Sequence, residues 1–547
     1  MKRTLIFSTA VVALSLQAQQ TVPFNLIGPI QAFALEPGCA DPLCGAAMKV
    51  NGVTVTIPKN TIMFFPARLL TPNDAFKFKA YDHPHAAPGD PVFPNSGLAI
   101  EDPPDVRPLA SFEASITGNI TSVAGVPAYV AGLIHISQQS LNTADGYILH
   151  IDYTKGELIV GPEASTNPDD PAAVHVRIND PVLQAPDPRN GFGRFGKGGS
   201  FDERFTADQE NATIRSATGF PMCIARTDPA ATDDPDCPKK NRPAAGPGFL
   251  QRFTMGAIDA MQGIAPQPGV SPAPAHTECD PRKQAPFVTG DRITFSGTLA
   301  LDKSVTPPVT YVSAHTITAW LGIYTEPLKN PAYLSLEVSL IGTWGIPFAV
   351  PQETGPGRAI PGGNFTTRLR IEALTTDPSR AVEISALDYT SSGGTLVVER
   401  SMALAAGSKT RPKNGPVGRL TMPPSSKPPF GRLRLNVDRA NYLPAPREIL
   451  IRYALQPAET QAQVANQNPA IANGLWFGQY SAPVNEFLFP ENLVYGDRPV
   501  PANFENFCFL WTGSGPLTTL GRMAGPVVGK LSPWPDSGHN SPQATCP

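Results

Sequence analysis

Phe24-Asn-Leu-Ile-Gly-Pro-Ile30 places apolar residues two and four positions before a glycine, and another two positions after it. Three further stretches repeat this arrangement: Ala114-Ser-Ile-Thr-Gly-Asn-Ile120, Ile293-Thr-Phe-Ser-Gly-Thr-Leu299 and Val338-Ser-Leu-Ile-Gly-Thr-Trp344. Apolar residues at every second position indicate a strand with one buried face. A glycine weakens such a strand unless the strand has to bulge or bend there, as at the corner of a small barrel. The first part of the chain, to about residue 350, is therefore predicted to form small barrels or strongly bent sheets.

Two hairpins are predicted within this part of the chain. Asn51-Gly52 separates the alternating segments 47–50 and 53–57, and Asn-Gly is the strongest short hairpin signal. Residues 147–151 and 157–160 form a second pair of alternating segments around a glycine-containing turn. Both hairpins favour antiparallel sheets.

The second half of the chain alternates charged with aliphatic residues. The segments that do so are 368–372, 381–385, 396–399, 432–437 and 448–452. Half-exposed antiparallel strands at this spacing are typical of a β-sandwich. A sandwich is therefore predicted over 361–456, and the aromatic-rich extension 457–547 is expected to pack back on the body.

These patterns resemble two known architectures. The glycine-bearing strands are similar to the opening strands of OB-type barrels, and the stretch 381–399 resembles immunoglobulin-like modules of secreted proteins. The resemblance implies an all-β fold: several small OB-like β-barrel modules, then an immunoglobulin-like β-sandwich, with long Pro/Gly-rich loops. It implies no activity, because one fold hosts many functions. The predicted division is 1–18, 19–105, 106–285, 286–360, 361–456 and 457–547.

The N-terminus is predicted to be a signal peptide over residues 1–18. Lys2 and Arg3 precede an apolar run over 5–16, and Gln17-Ala18 supplies a small residue at the cleavage position. The alternative is an uncleaved membrane anchor, which needs roughly 20 apolar residues. We therefore expect a secreted protein, or a periplasmic or cell-surface one in a bacterium, with no membrane span after cleavage.

Composition excludes one class of partner. Charged residues make up 16% of the chain and the formal net charge is −3. Electrostatic nucleic-acid binding needs a basic surface, so no nucleic-acid partner is expected. The 62 prolines and 47 glycines form about a fifth of the chain, against roughly 12% on average. Short strands joined by long loops explain this excess together with the 41% of hydrophobic residues.

The seven cysteines are interpreted as disulfide partners, because the chain is expected to be exported. Cys39 and Cys44 bracket a turn, and Cys223 and Cys237 bracket a Pro/Asp loop. Local pairing is predicted for both couples. The other three, among which one thiol is unpaired, remain unassigned: Cys279, Cys508 and Cys546.

Two loop histidines form the candidate metal or catalytic site. On an extended chain His83 and His85 point the same way, so they could share a metal ion, whereas Asp82 faces the other side. No third ligand is evident, and solvated loop histidines are the competing interpretation. A secreted hydrolase with its site in the long loops 70–108 or 180–285 would use these residues.

Four other histidines alternate with aliphatic residues in predicted strands or follow a serine there: His135, His150, His175 and His315. The chain contains no Gly-x-Ser-x-Gly nucleophile elbow. A catalytic triad cannot be assembled from sequence separation alone. We therefore interpret these residues as hydrogen-bonded sheet histidines.

Two loop patterns suggest ligands but have simpler interpretations. Gly191-Phe-Gly-Arg-Phe-Gly-Lys197 satisfies a dinucleotide pattern, yet it lacks the preceding strand and following helix, so a loop tip is favoured. Acidic loops could bind calcium, which needs six to eight oxygen ligands. The candidates are Asn167–Asp170, Thr232–Asp236 and the run Asp202, Glu203, Asp208 and Glu210. A solvated loop is the alternative, and no other cofactor is predicted.

The sequence favours a binding or structural role over an enzyme. Tandem β modules, low charge and no assembled catalytic set indicate a secreted or envelope-associated protein with a cell-surface or glycan ligand, and a secreted hydrolase is the alternative. Asn119, Asn211 and Asn364 each begin an Asn-x-Thr triplet, which is an N-glycosylation acceptor in a eukaryotic host. Surface aromatic residues could stack on sugars, although most aromatics in β domains are core.

Overall fold

The computed structural model is almost all β, with 47% strand and 5% helix. It describes residues 21–39, 43–77, 92–123, 125–138, 142–180, 195–196, 202–208, 210–256, 275–342, 369–389, 397–402, 419–420, 432–437, 444–455, 459–460, 466–467, 474–489, 501–511, 513 and 529–537. The predictions for residues 1–18, Asp82, His83, His85 and Asn364 lie outside the described residues. Within those ranges, every helix is too short or too polar to cross a lipid bilayer.

The first unit is a closed five-stranded barrel. Its elements are β1 Val22–Leu35, β2 Ala46–Val50, β3 Val53–Ile57, β4 Met63–Phe64, β5 Leu69–Leu70, α1 Pro72–Ala75, β6 Glu113–Val123 and β7 Val126–Ser137. Antiparallel pairs join β2 to β1 and β3, and join β6 to β1 and β7. Parallel pairing of β3 with β7 closes the ring in the order β1-β2-β3-β7-β6, the Greek-key arrangement of an OB-like barrel. We call this unit barrel one.

The second unit has the same strand order. Its elements are β8 Thr143–Asp152, β9 Glu157–Gly161, β10 Val174–Ile178, β11 Ile214–Ser216, β12 Met222–Cys223, β13 Ala244–Ala245, β14 Gly248–Phe249, β15 Arg252–Met255, β16 Ala275–His276, β17 Ala285–Pro286, β18 Arg292–Asp302, β19 Val309–Ala319 and β20 Gly322–Thr325. The ring runs β8-β9-β10-β19-β18, closed by parallel pairing of β10 with β19. We call it barrel two. The short strands β11 to β17 belong to an insertion between its third and fourth strands.

The predicted domain boundaries after residues 105 and 285 fall inside these barrels. Barrel one runs from 22 to 137 and barrel two from 143 to 319. In both barrels a long segment separates the third strand from the fourth, and its Pro/Gly-rich composition looks like a linker in the sequence. The last two strands nevertheless complete the barrel that the first three began.

The third unit is a two-sheet sandwich. Its elements are β21 Leu334–Gly342, β22 Leu369–Thr375, β23 Val382–Tyr389, β24 Val397–Ser401, β25 Arg419–Leu420, β26 Arg432–Val437, β27 Glu448–Tyr453, β28 Asn466–Gln467, β29 Trp476–Phe477, β30 Gln479–Pro483, β31 Glu486–Leu488 and α2 Cys508–Trp511. One sheet is β26-β22-β21-β31 and the other is β24-β23-β27-β30. Ile371 of the first sheet and Ile449 of the second lie in one core with Phe504 and Phe507 of the C-terminal segment.

Glycines hold the fourth strand of each barrel close to the fifth. The pairing register shifts between Thr117 and Gly118 in β6, and between Ser296 and Gly297 in β18. A Cβ atom on Gly297 would lie 2.3 Å from the backbone oxygen of Ser313, which is far inside van der Waals contact. The two glycine-bearing stretches that contain these residues thus occupy equivalent places in the two barrels.

Substitution of Gly297 tests this close approach. Gly297→Ala is expected to lower the free energy of unfolding by about 1–3 kcal/mol, because β18 and β19 must separate to admit the methyl group. Gly248→Ala is the matched control, since its Cβ would meet no atom within 4 Å. Urea unfolding followed by circular dichroism measures both. Equal stability of the two variants would contradict the proposed packing constraint.

Candidate functional site

A charged cluster lies on the outward face of the second and third strands of barrel two. Val176 and Ile178 of β10 point into the barrel core, so the alternation places His175 and Arg177 outside. Arg177 lies opposite Glu157 of β9 in the pairing register. We call this group the β9–β10 cluster; its members are Glu157, His175, Arg177, Asp302 and Tyr311.

Arg177 organises the cluster. Its Nε donates to Glu157 Oε2 at 2.6 Å, and its Nη2 donates to Asp302 Oδ2 at 2.7 Å. Its guanidinium carbon lies 4.4 Å from the centre of the Tyr311 ring. His175 Nδ1 lies 2.7 Å from Glu157 Oε1. A planar guanidinium that binds two carboxylates and stacks on a ring is held in one orientation.

The pKa shifts agree with this geometry. Hydrogen bonds from Ser304 and then from Arg177 hold the pKa of Asp302 well below its ordinary value. Burial by itself would lower the pKa of Arg177, but its hydrogen bonds to Asp302 and Glu157 raise it instead. Burial raises the pKa of the Tyr311 hydroxyl. Asp302 and Arg177 therefore remain charged, and Tyr311 neutral, at every pH near neutrality.

The position of the cluster is the one at which OB-like barrels bind ligands. Residues 153–156 join β8 to β9, and residues 303–308 join β18 to β19. The face of the second and third strands, between these two loops, is where OB folds bind oligonucleotides and oligosaccharides. The loops add Lys303 and also Lys155, which pairs with Asp152, so three acidic and three basic groups balance. This arrangement can form hydrogen bonds with a polar ligand and attracts neither cations nor anions strongly.

The sequence interpretation identified only one member of this cluster. His175 was expected to be a hydrogen-bonded sheet histidine, and it contacts Glu157 as described. Sequence patterns do not predict the other four members: Glu157, Arg177, Asp302 and Tyr311. The alternation Val174-His-Val-Arg-Ile178 does show that His175 and Arg177 share a face, but nothing local places Asp302 beside them.

Two of the three acidic segments proposed for calcium pair with basic side chains. Asp202 pairs with Arg204 at 2.8 Å, and Glu203 lies 3.7 Å from Arg68. All four of the run's acidic residues are buried rather than solvated: Asp202, Glu203, Asp208 and Glu210. In the loop 232–236, Asp234 and Asp236 pair with Arg226, and Asp236 also pairs with Lys283. Across the described ranges no group of three or more His, Cys, Asp or Glu residues is arranged to hold a metal ion.

The described part of the glycine-rich stretch 191–197 is a core contact. Phe195 is fully buried in the core of barrel two. Its backbone N–H donates to Asp180 Oδ2 at 2.6 Å, and its carbonyl accepts from the N–H of Ile224 at 2.7 Å. Residues 195 and 196 therefore differ from the expected loop tip, because a Phe in this position buries its ring; the remaining five residues lie outside the described ranges.

Both predicted local disulfides are confirmed. Cys39 bonds to Cys44 and Cys223 bonds to Cys237. Cys508 is also disulfide-bonded. Cys279 is a buried free thiol whose hydrogen bond goes to the carbonyl of Lys240 at 3.2 Å, and burial raises its pKa to about 12. That thiol is unreactive in the folded protein, because the nucleophilic form is the thiolate.

Two of the predicted glycosylation acceptors are structural residues. Asn119 is fully buried, and its Nδ2 donates to the carbonyl of Ala502 at 2.9 Å. Asn211 is buried as well, and its Nδ2 donates to the carbonyl of Ser481 at 2.9 Å. An amide nitrogen used in this way is not accessible to a glycosyltransferase. Both side chains instead connect the barrels to the C-terminal third of the chain.

Comparison with known proteins does not identify a function for this site. No protein-family model, no curated protein and no solved structure matches the chain. The β9–β10 cluster is therefore interpreted from its own contacts and from the position of the OB-like face.

Burial of His315 predicts an acid-sensitive fold. His315 lies in β19 with Nδ1 3.0 Å from Thr316 Oγ1, and burial lowers its pKa to about 4. Between pH 6.5 and 4 the unfolded chain binds a proton that the folded chain excludes, so stability falls as pH falls through this window. One such histidine accounts for about 3 kcal/mol. His315→Gln is expected to flatten this decline.

Urea unfolding at pH 7, 5.5 and 4 measures the effect. His150→Gln is the matched control, because His150 lies exposed on β8 of the same barrel. An unchanged slope of stability against pH in His315→Gln would refute the assignment.

Proposed function

We propose that the chain is an exported, secreted or cell-envelope-associated protein that binds a glycan at the β9–β10 cluster. The observation that carries the proposal is the fixed Arg177, held by Glu157 and Asp302 and stacked on Tyr311, on the ligand-binding face of an OB-like barrel. Carboxylate, guanidinium and imidazole groups together supply both acceptors and donors for sugar hydroxyls. Because the donors are pre-oriented, a ligand loses little additional side-chain entropy on binding.

Charge balance favours a glycan over a nucleic acid. The guanidinium of Arg177 is already neutralised by two carboxylates, so it offers little attraction to a phosphate. The whole chain carries a net charge of −3, whereas nucleic-acid binding depends on uncompensated basic residues. A protein surface needs no net charge to form hydrogen bonds with sugar hydroxyls.

Two further parts of the proposal concern export and architecture. Two disulfides agree with an oxidising compartment, and the apolar run over 5–16 supports a cleaved signal peptide. We also propose that the sandwich is immunoglobulin-like. Its strands β21, β22, β26 and β31 lie in one sheet and β23, β24, β27 and β30 in the other; the first, second and fifth strands of an immunoglobulin fold are likewise separated from its third and last two.

The hydrolase alternative rests on residues outside the described ranges. His83, His85 and Asp82 stay a prediction in that role. Incubation of the purified protein with polysaccharides, esters and peptides, with His83→Ala/His85→Ala as the control, tests it. An activity that disappears in the double variant would replace the binding proposal.

Substitution of Arg177 tests the proposed binding site. We expect the wild-type protein to be retarded in native gels that contain a neutral soluble polysaccharide, such as hydroxyethyl cellulose, xylan, glucomannan or β-1,3-glucan. Arg177→Ala is expected to weaken the retardation at least tenfold, because Glu157 and Asp302 lose their common partner. Arg177→Lys should be intermediate, since an ammonium cannot bind both carboxylates in the same geometry.

Arg452→Ala is the matched control for the loss of an ion pair. Arg452 makes two hydrogen bonds of 2.9 Å to Glu399 on the sandwich. Thermal unfolding of each variant separates loss of binding from loss of folding. Equal retardation of Arg177→Ala and Arg452→Ala would place the ligand elsewhere.

A further inference from the structure

A second surface lies at the end of the β18–β19 hairpin that is opposite to the β9–β10 cluster. Trp320 follows β19 directly and is 44% exposed. Its Nε1 donates to Thr294 Oγ1 at 3.0 Å, and the guanidinium carbon of Arg292 lies 4.7 Å from the centre of its ring. Arg292 in turn binds Asp145 Oδ2 at 2.5 Å through Nη2. The exposed indole is therefore fixed by two neighbours, while a solitary surface aromatic is free to rotate.

A second exposed aromatic residue lies on a backbone segment that is hydrogen-bonded to the segment carrying Trp320. Phe249 of β14 is 38% exposed. The backbone N–H of Gly322 donates to the carbonyl of Gln251 at 2.9 Å. Phe249 lies two residues before Gln251, and Trp320 lies two residues before Gly322. Gln251 itself is exposed. The two exposed aromatic residues thus belong to backbone segments that one hydrogen bond joins.

A buried ion pair lies beneath the Phe249 ring and adjoins Arg292 along the chain. Arg242 lies 5.5 Å below the Phe249 ring and binds Asp291 through Nη1 and Nη2. Asp291 directly precedes Arg292, which stacks on Trp320. Both side chains of the Arg242–Asp291 pair are fully buried, so the base of this surface is rigid.

We propose that this surface, the Trp320 platform (Asp145, Phe249, Gln251, Arg292 and Trp320), is a second carbohydrate-binding site. The apolar C–H face of a pyranose ring packs on an exposed aromatic ring, and its hydroxyl groups bond to carboxylate, guanidinium and amide groups at the edge. The platform supplies both kinds of contact. It does so with side chains whose orientation is already set, which lowers the entropic cost of binding.

The composition of the platform favours a carbohydrate over a macromolecular partner. Asp145 and Arg292 neutralise each other, so the surface carries no excess positive charge for a nucleic acid. A stable protein interface buries about 800 Å² on each partner around an apolar centre. Here polar and apolar residues alternate, because the exposed Gln251 follows two residues after Phe249. A single sugar chain matches this alternation of apolar and polar groups.

The platform is distinct from the β9–β10 cluster. Arg292 and Asp302 are the two ends of β18. Ten residues of strand span up to about 30 Å, so the two surfaces cannot contact the same sugar ring. The proposal for Trp320 therefore does not depend on the proposed role of Arg177. If both sites bind, one long glycan chain or two separate chains gain avidity.

Titration with defined oligosaccharides tests the Trp320 platform. Cellohexaose, xylohexaose, laminarihexaose and chitohexaose are added to the full mature protein, and binding is measured by tryptophan fluorescence and isothermal calorimetry. Trp320→Ala is expected to weaken binding of the recognised oligosaccharide at least tenfold in the calorimeter. Trp320→Phe should retain most of the affinity because it keeps a stacking surface, and Phe249→Ala should weaken binding less than Trp320→Ala.

Tyr129→Ala is the matched control, because Tyr129 is an aromatic residue on barrel one that is 36% exposed. Arg177→Ala separates the two sites: with that substitution, the Trp320-dependent binding should persist. If the proposed function is wrong, the polysaccharide gel will retard Arg177→Ala as strongly as the wild-type protein. The present proposal is overturned if none of the four oligosaccharides binds the wild-type protein, or if Trp320→Ala and Tyr129→Ala have equal affinity at equal thermal stability.

Discussion

The close approach of two backbones in each barrel determines much of the remaining structure. Gly118 and Gly297 bring the fourth strand so near the fifth that no side chain fits between them. The register shifts at the same two places, and a shift of this kind bends a strand and increases its twist. The bend brings β7 and β19 back to the third strand of each ring. Parallel pairing then closes both barrels without a free edge, which removes a site of edge-to-edge association.

Closure of barrel two also creates the β9–β10 cluster. Glu157 and Arg177 belong to the first three of the five strands, within residues 143 to 178, while Asp302 and Tyr311 follow the insertion. The parallel pairing of Val176 with Val312 is the step that places them side by side. Because the cluster depends on closure, a ligand bound there would stabilise the closed barrel through the usual coupling of binding to folding.

The long insertion of barrel two connects the three units. Phe205 packs into the core of barrel one, with its ring 4.7 Å from that of Phe112. Arg204 donates to the carbonyls of Ala75 and Ser96 in the long segment of barrel one. A few residues later, Asn211 binds the backbone of Ser481 in the sandwich. Removal of one partner from such a contact leaves a buried polar group without a hydrogen bond, which costs free energy. The insertion therefore fixes the barrels and the sandwich together.

Local patterns predicted the strands, because alternation and glycine position are properties of a few neighbouring residues. The sequence around Gly297 indicates a bent strand, and the cysteine pairs 39–44 and 223–237 are local enough to be recognised. Strand order was beyond such reasoning: the closing pairs join residues separated by more than 70 positions in barrel one and 130 in barrel two. The same limit applies to Arg177, whose second carboxylate lies 125 residues further along the chain. Its function as an organising residue follows from topology, which single-strand periodicity does not contain.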